Sequence, residues 1–206
     1  MPFPTTGILD NFNRANENPV SQGGNWTSPQ NAGDTTEGVV TNVLVRGDSA
    51  ASTASAYRSN ASTGDDCEVF ATVAIKGNND EYSCIRLRVQ TGTLGNYYQA
   101  RLRPQAGTDL VHIDSAASNT WTQLGAAVSQ EFAVGDAWGL EAIGTTLTFY
   151  FQASGGSWSS LFNRTDSTYA TGGYLADYVE FGTWGHDDFG GGTVVTGGPV
   201  CAWLKA

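Results

Sequence analysis

Alternation of apolar and polar side chains is the feature that most limits what this chain can fold into. In the segment CEVFATVAIK at 67–76, an apolar residue stands at every second position from Cys67 to Ile75. Successive side chains of a β-strand point to opposite faces, so this pattern describes a strand with one apolar face. No segment shows a comparable apolar stripe at helical spacing, and the chain is therefore predicted to be all-β.

Turn-forming stretches divide the chain into short strands of this kind. Strands are predicted at 38–46, 67–76, 83–90, 97–103, 110–115, 121–128, 138–144, 146–153 and 178–184. The breaks between them, such as GNND and TGTLGN, are of turn length, which is typical of an antiparallel sandwich of two sheets. Because no break is long enough to be a linker, we predict one domain over residues 8–192, with an N-terminal arm at 1–7 and a C-terminal extension at 193–206.

Charge and hydropathy exclude several kinds of partner. The net charge of −10 disfavours binding to the phosphate backbone of nucleic acid. No window approaches 18 apolar residues, so membrane insertion is not predicted. The start, MPFPTTG, has neither a basic region nor an apolar run, so no signal peptide is predicted and synthesis in a cytoplasm is expected.

The three cysteines, Cys67, Cys84 and Cys201, do not suggest a disulfide framework, because their number is odd. Cys67 belongs to the apolar face of its strand, whereas Cys84 faces away from the apolar residues of the next one. A bridge between them would have to cross the sheet, so both are predicted to be free thiols. No cluster of Cys and His suggests zinc, and no cofactor is predicted to be required.

Motifs for nucleophilic or nucleotide chemistry are missing from the sequence. The only histidines are His112 and His186, Gly-x-Ser-x-Gly is absent, and neither a phosphate loop nor a dinucleotide fingerprint occurs. His112 lies in the predicted strand LVHIDS and is interpreted as a strand residue rather than a catalytic base.

Four stretches, in this order, resemble the concanavalin A-like lectin/glucanase superfamily: DNFNRA…NWT, GNYYQARL, VGDAWGLEAIGTTLTFYF and DSTYATGGYLADYVEF…DDF. The similarity is greatest to jelly-roll domains of bacteriophage tail, fibre and capsid-surface proteins, and it covers residues 8–192. It implies a two-sheet antiparallel jelly-roll sandwich in which the first and last strands pair. The near-echoes LDNFNR at 9–14 and HDDFGG at 186–191 would then be neighbours, each placing a Phe in the core beside a turn held by Asp.

The resemblance also raises the alternative of a glycan-cleaving enzyme, a hydrolase or a lyase. Retaining glucanases of the superfamily have Glu-x-Asp-x-x-Glu on a strand, and no Glu of this chain is followed two residues later by Asp. The nearest match is the pair Asp66 and Glu68, which lacks the third carboxylate. The competing interpretation places Asp66 in a turn and makes Glu68 a partner for Arg.

A row of polar side chains on one sheet face is the main candidate for a binding site. The predicted ligand-binding residues are Arg86, Arg88, Gln90, Tyr97, Gln99, Arg101 and Arg103. They share a face if GNND is a hairpin with Val73 opposite Ile85, and if TGTLGN is a hairpin with Gln90 opposite Tyr97. Arg86 would then lie opposite Arg101, which is unfavourable unless acids neutralise the pair or the face binds something. Either Glu68 and Glu141 neutralise these arginines, or the face, which matches the superfamily's concave sugar-holding sheet, contacts glycan or protein.

Two further sites follow from the same considerations. The resemblance implies a structural calcium ion where the terminal strands meet, with Asp10, Asp187 and Asp188 as ligands. The alternative is that these carboxylates cap turns and that Arg14 pairs with one of them. The apolar residues Trp203 and Leu204 in the extension predict either packing on their own domain or a partner interface.

The chain is therefore predicted to be a non-enzymatic structural protein of a phage virion, either a capsid decoration or a tail-surface module. The expected location is the virion surface, in a multimeric assembly. The expected partners are other virion proteins, host surface glycan, or both.

Overall fold

A computed structural model of the protein describes residues 2–46, 53–180 and 184–194. In chain order the strands are β1 (Ile8–Asp10), β2 (Trp26–Thr27), β3 (Thr35–Val40), β4 (Val43–Arg46), β5 (Ala54–Arg58), β6 (Cys67–Ile75), β7 (Ser83–Val89), β8 (Tyr97–Arg103), β9 (Leu110–Ala117), β10 (Thr120–Gln123), β11 (Val128–Ser129), β12 (Ala137–Ile143), β13 (Thr146–Gln152), β14 (Ser159–Thr165), β15 (Tyr174–Val179) and β16 (Gly185–Thr193). Within these ranges the only helical element is a 3-10 turn at Gln22–Gly24.

The strands form two sheets that share β3. Sheet I has the order β14-β13-β12-β6-β16-β4-β3, with β1 beside β16. Sheet II has the order β10-β9-β8-β7-β15-β5, with β2 beside β5 and β11 beside β9. β3 pairs antiparallel with β4 and, over two residues, parallel with β5. The predicted all-β, essentially antiparallel sandwich is confirmed.

The terminal strands pair as expected. Asp10 of β1 lies opposite Phe189 of β16. Phe12 and Phe189 are both fully buried, and the ring of Trp26 packs between them at centroid distances of 6.0 and 5.0 Å. The Asp10 carboxylate accepts a hydrogen bond from the Phe12 amide at 2.8 Å. The two Asp and Phe stretches are therefore neighbours in one core cluster.

The prediction that GNND makes a hairpin between β6 and β7 is wrong. β6 pairs with β12 and β16 in sheet I, whereas β7 pairs with β8 and β15 in sheet II. Val73 and Ile85 are both fully buried, but they enter the core from different sheets. Matching apolar faces suits strands that pack across a core as well as strands that pair side by side, so alternation alone could not distinguish the two.

Other predicted strands have different bounds in the structure. The segment 38–46 belongs to a hairpin of β3 and β4, because Thr41 and Asn42 have φ angles of 51° and 65° and form a tight turn. The segment 178–184 spans the end of β15, and β16 starts at Gly185 in the other sheet. β1, β2, β5, β14 and β16 lie outside all of the predicted strand ranges.

Both described cysteines, Cys67 and Cys84, are free and buried, as predicted, and Cys201 lies outside the described residues. They belong to different sheets, which is a stronger separation than the sequence suggested. Burial raises the pKa of both thiols. Neither thiol is therefore set up as a nucleophile.

The N-terminal arm lies on the outer face of sheet I. The Phe3 ring stacks on Tyr150 at 3.9 Å and is 7% exposed. The backbone amides of Thr5 and Thr6 donate to the Glu68 carboxylate at 2.7 and 2.6 Å. At the other end, β16 continues through Thr193.

Four buried polar side chains link the two sheets inside the core. His186 of sheet I contacts Asp177 of sheet II through Nδ1 and Oδ2 at 2.6 Å, and its Nε2 lies 2.6 Å from the Ser83 hydroxyl. Glu37 is close enough to Asp177 to interact with its charge, and burial together with that charge raises the pKa of Glu37 well above its ordinary value. All four side chains are 0% exposed. We call this set the inter-sheet network.

Candidate functional site

The predicted polar row lies on the outer face of sheet II, but its register differs from the prediction. TGTLGN does join β7 and β8 as a hairpin, with Arg86 opposite Gln99 and Cys84 opposite Arg101. The predicted opposition of Arg86 and Arg101 is wrong by two residues. The observed register separates the two guanidinium groups and gives Arg86 an amide partner, with Nε donating to Gln99 Oε1 at 3.2 Å.

An acid on sheet II and an acid in the turn before β7 neutralise the arginines at one side of this face. Arg101 donates twice to Asp114 of β9, at 2.7 and 3.0 Å, and Gln99 donates to the same carboxylate at 3.0 Å. Arg103 donates twice to Asp80. The predicted partners, Glu68 and Glu141, are wrong, because they lie opposite each other in sheet I.

Arg88 and Gln90 do not belong to this face in the way the alternation predicted. Arg88 has a φ of 50°, which interrupts the alternation of β7. Its guanidinium donates to the backbone carbonyls of Asp65, Gly144 and Tyr169, and it holds loops together at one end of the sandwich. The Gln90 amide donates to the Arg88 carbonyl at 2.8 Å. Both side chains hydrogen-bond to the protein's own backbone, and neither lines the hollow described below.

An aromatic hollow lies at the remaining part of the face. Arg86 is held between two rings, with its guanidinium carbon 4.3 Å from the centroid of Tyr97 and 4.1 Å from that of Tyr178. The Trp121 ring stands edge-on to Tyr178 at 5.4 Å, and its Nε1 donates to the Tyr97 hydroxyl at 3.0 Å. Tyr97 is 0% exposed and Tyr178 6% exposed, whereas Trp121 is partly exposed. Trp121 therefore offers the accessible ring of this cluster.

Polar side chains from three loops or strand ends complete the hollow. It has a volume of about 210 Å³ and is lined by Asn31, Ala32, Asp34, Arg86, Tyr97, Asn119, Trp121 and Tyr178. Asp34 is positioned by the hydroxyls of Thr53 and Ser55, which donate to it at 2.8 and 2.6 Å. Asn119 sits in the tight turn between β9 and β10 with a φ of 64°. We call this set of eight lining residues the aromatic hollow.

The geometry of the hollow suits binding rather than two-carboxylate hydrolysis. A rigid ring surface beside amide and carboxylate groups can hold a small ring that has polar substituents. Arg86 is already committed to Gln99 and to Gln30, whose Oε1 accepts from it at 2.9 Å. Asp34 is the only carboxylate among the lining residues, and glycoside hydrolysis in most families needs two.

The other candidate catalytic groups are also committed elsewhere. Glu68 lies under the N-terminal arm, and Asp66 accepts the Gly144 amide at 2.8 Å. The inter-sheet network arranges Ser83, His186 and Asp177 like a nucleophile triad, which the sequence motifs did not reveal. Because all three are 0% exposed, no substrate can reach the Ser83 hydroxyl in this conformation.

The predicted calcium ligands do not fit a cation at the terminal strands. The Asp10 oxygens accept from the Phe12 amide, from Arg14 at 2.6 Å and from the Trp26 indole at 2.8 Å. Asp187 accepts the backbone amide of Asp188 at 2.8 Å. Among the residues that the structure describes, no group of three or more His, Cys, Asp and Glu is arranged to hold a metal ion. The observed contacts match the alternative of turn capping and an Arg14 ion pair.

Two further predictions concern the C-terminal extension and membrane insertion. Trp203 and Leu204 lie outside the described residues. In the ranges that are described, no helix has the length and apolar character needed to cross a bilayer.

Sequence reasoning missed Trp121, Tyr178, Asn31, Asp34 and Asn119. They come from segments that are distant in sequence and meet only because β10 and β15 flank the β7–β9 strands in sheet II. The alternation of β15 could have suggested Tyr178 as an outward residue, but its position next to β7 depends on the topology.

A scan against models of known protein families finds no match, and a search of curated proteins finds no relative. Solved structures do match. The exoplasmic/lumenal domain of VIP36 in its Ca²⁺/Man3GlcNAc-bound form has a TM-score of 0.64 at 11% identity, covering 84% of this chain and 86% of that one. A β-glucanase of Bacillus licheniformis has a TM-score of 0.57 at 11% identity, with coverage of 90% and 97%.

A third similar structure comes from a phage. The CBM2 module of the evolved Dit of Lactobacillus casei BL23 phage J-1 has a TM-score of 0.59 at 13% identity, covering 90% of this chain and 94% of that one. Identities this low show a shared fold and nothing further. The chain therefore has the concanavalin A-like jelly-roll fold, as the sequence resemblance implied.

Proposed function

We propose that the protein is a carbohydrate-binding jelly-roll module, and that one sugar ring of a glycan binds in the aromatic hollow. The observation behind this proposal is the hollow itself. A partly exposed Trp121 backed by two buried tyrosines stands beside the polar groups of Asn31, Asp34 and Asn119.

The chemistry of the lining matches that of a sugar. The C–H face of a pyranose packs on an aromatic ring, and its hydroxyls both donate and accept, which suits amide and carboxylate groups. Arg86 and Asp34 contribute one formal charge of each sign, so the hollow favours a neutral sugar over a uronate. The structural similarity to the Man3GlcNAc-bound VIP36 domain and to the phage CBM2 module supports this interpretation.

A glycan array probed with the wild-type chain and with Trp121→Ala tests the proposal. We expect a small set of related glycans to bind the wild type, with those signals lost in the variant while its melting temperature is retained. Absence of any hit across bacterial surface and plant glycans, or hits of equal strength in the variant, would remove the hollow as the binding site.

The alternative of a glycan-cleaving enzyme is supported by the β-glucanase neighbour. We favour the non-enzymatic function because the hollow has a single carboxylate. Release of reducing ends from each array hit measures the difference, and we expect none above background. Robust turnover that is lost in Asp66→Asn or Glu68→Gln would establish the enzyme instead.

We further propose that the module acts on a virion surface, as a capsid decoration or tail-surface protein, in many copies. The sequence resemblance and the phage CBM2 neighbour support this location. Deleting residues 195–206, which include Trp203 and Leu204, should lower occupancy on the particle without lowering the melting temperature. Unchanged occupancy would show that attachment uses another surface.

Calcium is tested separately, because the VIP36 structure is Ca²⁺-bound. Since the Asp10 oxygens already accept protein donors, we expect EDTA to leave both melting temperature and glycan signal unchanged. A rise in melting temperature when Ca²⁺ is added back would reveal a site that does not depend on Asp10.

A further inference from the structure

A second cavity, separate from the aromatic hollow, lies beside the paired terminal strands. It has a volume of about 240 Å³. Its lining residues are Leu9, Arg58, Asn60, Ala61, Ser62, Thr63, Leu175, Gly191, Gly192 and Thr193. We call it the Arg58 cavity. Leu9, Ala61 and Leu175 give the cavity an apolar wall, and the other lining residues add hydroxyl, amide and guanidinium groups.

Arg58 is the unusual member of this lining. Its residue is only 6% exposed, and its Nε is buried without a hydrogen-bond partner among the described residues. Nη1 donates to the amide oxygen of Gln22, and the guanidinium lies over the Trp26 ring at 5.3 Å. Burial lowers the pKa of Arg58.

No carboxylate pairs with Arg58 in the described part of the chain. Asp10 is near enough to raise the pKa of Arg58 by its charge, but its oxygens accept from Phe12, Arg14 and Trp26. The Arg14 charge acts in the opposite direction. By contrast, Arg101 has two bonds to Asp114 and Arg103 has two to Asp80.

A buried cation without an anionic partner is costly, and an oxyanion placed on the part of the guanidinium that lines the cavity recovers part of that cost. The neighbouring polar groups fit such a ligand. Asn60 and Ser62 are exposed at the cavity and make no side-chain hydrogen bond within the described residues, so both can contact a ligand. The apolar wall fits a short hydrocarbon body.

We propose that the Arg58 cavity binds a small carboxylate, with the carboxylate on the Arg58 guanidinium and the apolar part against Leu9 and Leu175. This site is independent of the aromatic hollow. The carboxylate could belong to a free short-chain acid or to a uronic acid of a glycan, and the two sources differ in whether the body is apolar or hydroxylated.

Isothermal titration of the full chain with butyrate and with glucuronate tests the site, against sodium chloride of equal ionic strength. We expect weak binding with a Kd on the order of 1 mM, equivalent to about 4 kcal/mol. Butyrate should bind more tightly than glucuronate if the apolar wall contributes; the reverse order would identify the uronate as the source. Arg58→Gln should weaken binding by about tenfold or more.

Two further variants make the outcome decisive. Ala61→Phe fills the cavity from an exposed position without altering Arg58, and it should abolish binding even if Arg58→Gln folds poorly. Arg103→Gln removes a charge elsewhere and should leave binding unchanged. No heat beyond the chloride control with either acid, or equal binding by wild type, Arg58→Gln and Ala61→Phe, would overturn the proposal.

Discussion

Two polar regions lie on opposite faces of sheet II, and they differ in whether their acidic and basic side chains are equal in number. On the outer face, Arg101, Gln99 and Asp114 form a set in which one carboxylate accepts from one cation and one amide. On the inner face, the inter-sheet network places two carboxylates, Glu37 and Asp177, beside one imidazole. Both regions are largely buried, but only the inner one has an excess of acidic groups.

This difference in charge balance determines what each region contributes to the protein. The outer set has its charges matched and lies next to the aromatic hollow, so it can hold Arg86, Tyr97 and Trp121 in place. In the inner network, the Asp177 Oδ1 and both Glu37 oxygens have no ordinary donor. Because the pKa of Glu37 is raised by burial and by the nearby Asp177 charge, this region is the acid–base-sensitive part of the fold.

The largest expected effect comes from breaking the inner network. Asp177→Ala leaves His186 without its Nδ1 partner and removes the carboxylate beside Glu37, all inside the core. We expect a loss of about 3–5 kcal/mol in the free energy of unfolding. Urea denaturation measures it, with Asp80→Ala as a control on an exposed ion pair that should not move the midpoint. A loss no larger than that of the control would show that the network contributes nothing to stability.

A smaller effect is expected at the outer set. Asp114→Ala removes both acceptors of Arg101 and the partner of Gln99, and we expect a loss of about 2–3 kcal/mol, because Arg101 keeps 9% of its surface exposed and can be rehydrated. The variant should also weaken glycan binding, since Gln99 positions Arg86. If stability falls while glycan affinity is unchanged, the outer set supports the fold but not the hollow.

The pH dependence of stability separates the two regions further. Because the folded-state pKa of Glu37 is raised, its contribution is fully present below its ordinary pKa near 4.5 and is lost as pH rises through the folded-state pKa. Glu37→Gln keeps a neutral donor for Asp177 at every pH. The stability of the variant relative to wild type should therefore grow by up to about 1.4 kcal/mol per pH unit above 4.5, until the folded-state pKa is passed.

Melting temperatures of wild type and Glu37→Gln between pH 4 and pH 8 measure this difference, since other titrating groups are common to both chains. Parallel curves across the range would mean that Glu37 is ionised in the folded protein. That result would contradict the contrast drawn between the two regions, because the inter-sheet network would then hold two charged carboxylates.

Alternation in the sequence was sufficient for most strands and for the common face of Arg86, Tyr97, Gln99 and Arg101. It failed at Arg88, because the positive φ that reverses its side chain leaves no mark in the residue type. It also failed for the inter-sheet network. Ser83, Asp177 and His186 meet because β6 and β16 belong to sheet I whereas β7 and β15 belong to sheet II, and a local pattern contains no information on which sheet a strand joins.

The residues of the aromatic hollow likewise divide into those that the sequence could predict and those that it could not. Tyr97 could be predicted from its own strand and its hairpin. Trp121 and Tyr178 could not, because their strands were predicted with different bounds and their order in sheet II depends on long-range pairing. The residues of a binding site on a sheet face come from several neighbouring strands. Predicting each strand correctly therefore does not identify the site, because the order of the strands in the sheet is also needed.

The affinity of one array-identified glycan, measured by isothermal titration for wild type, Trp121→Ala, Trp158→Ala and Glu37→Gln, tests the central claim most directly. Trp121 and Trp158 are both partly exposed, but Trp158 lines cavities on the sheet I side beside the N-terminal arm. We predict that Trp121→Ala weakens binding at least about tenfold, equivalent to about 1.4 kcal/mol, whereas the other two variants stay within about twofold of wild type. Equal affinity for wild type and Trp121→Ala, or a loss confined to Trp158→Ala, would contradict the assignment of the aromatic hollow as the glycan site.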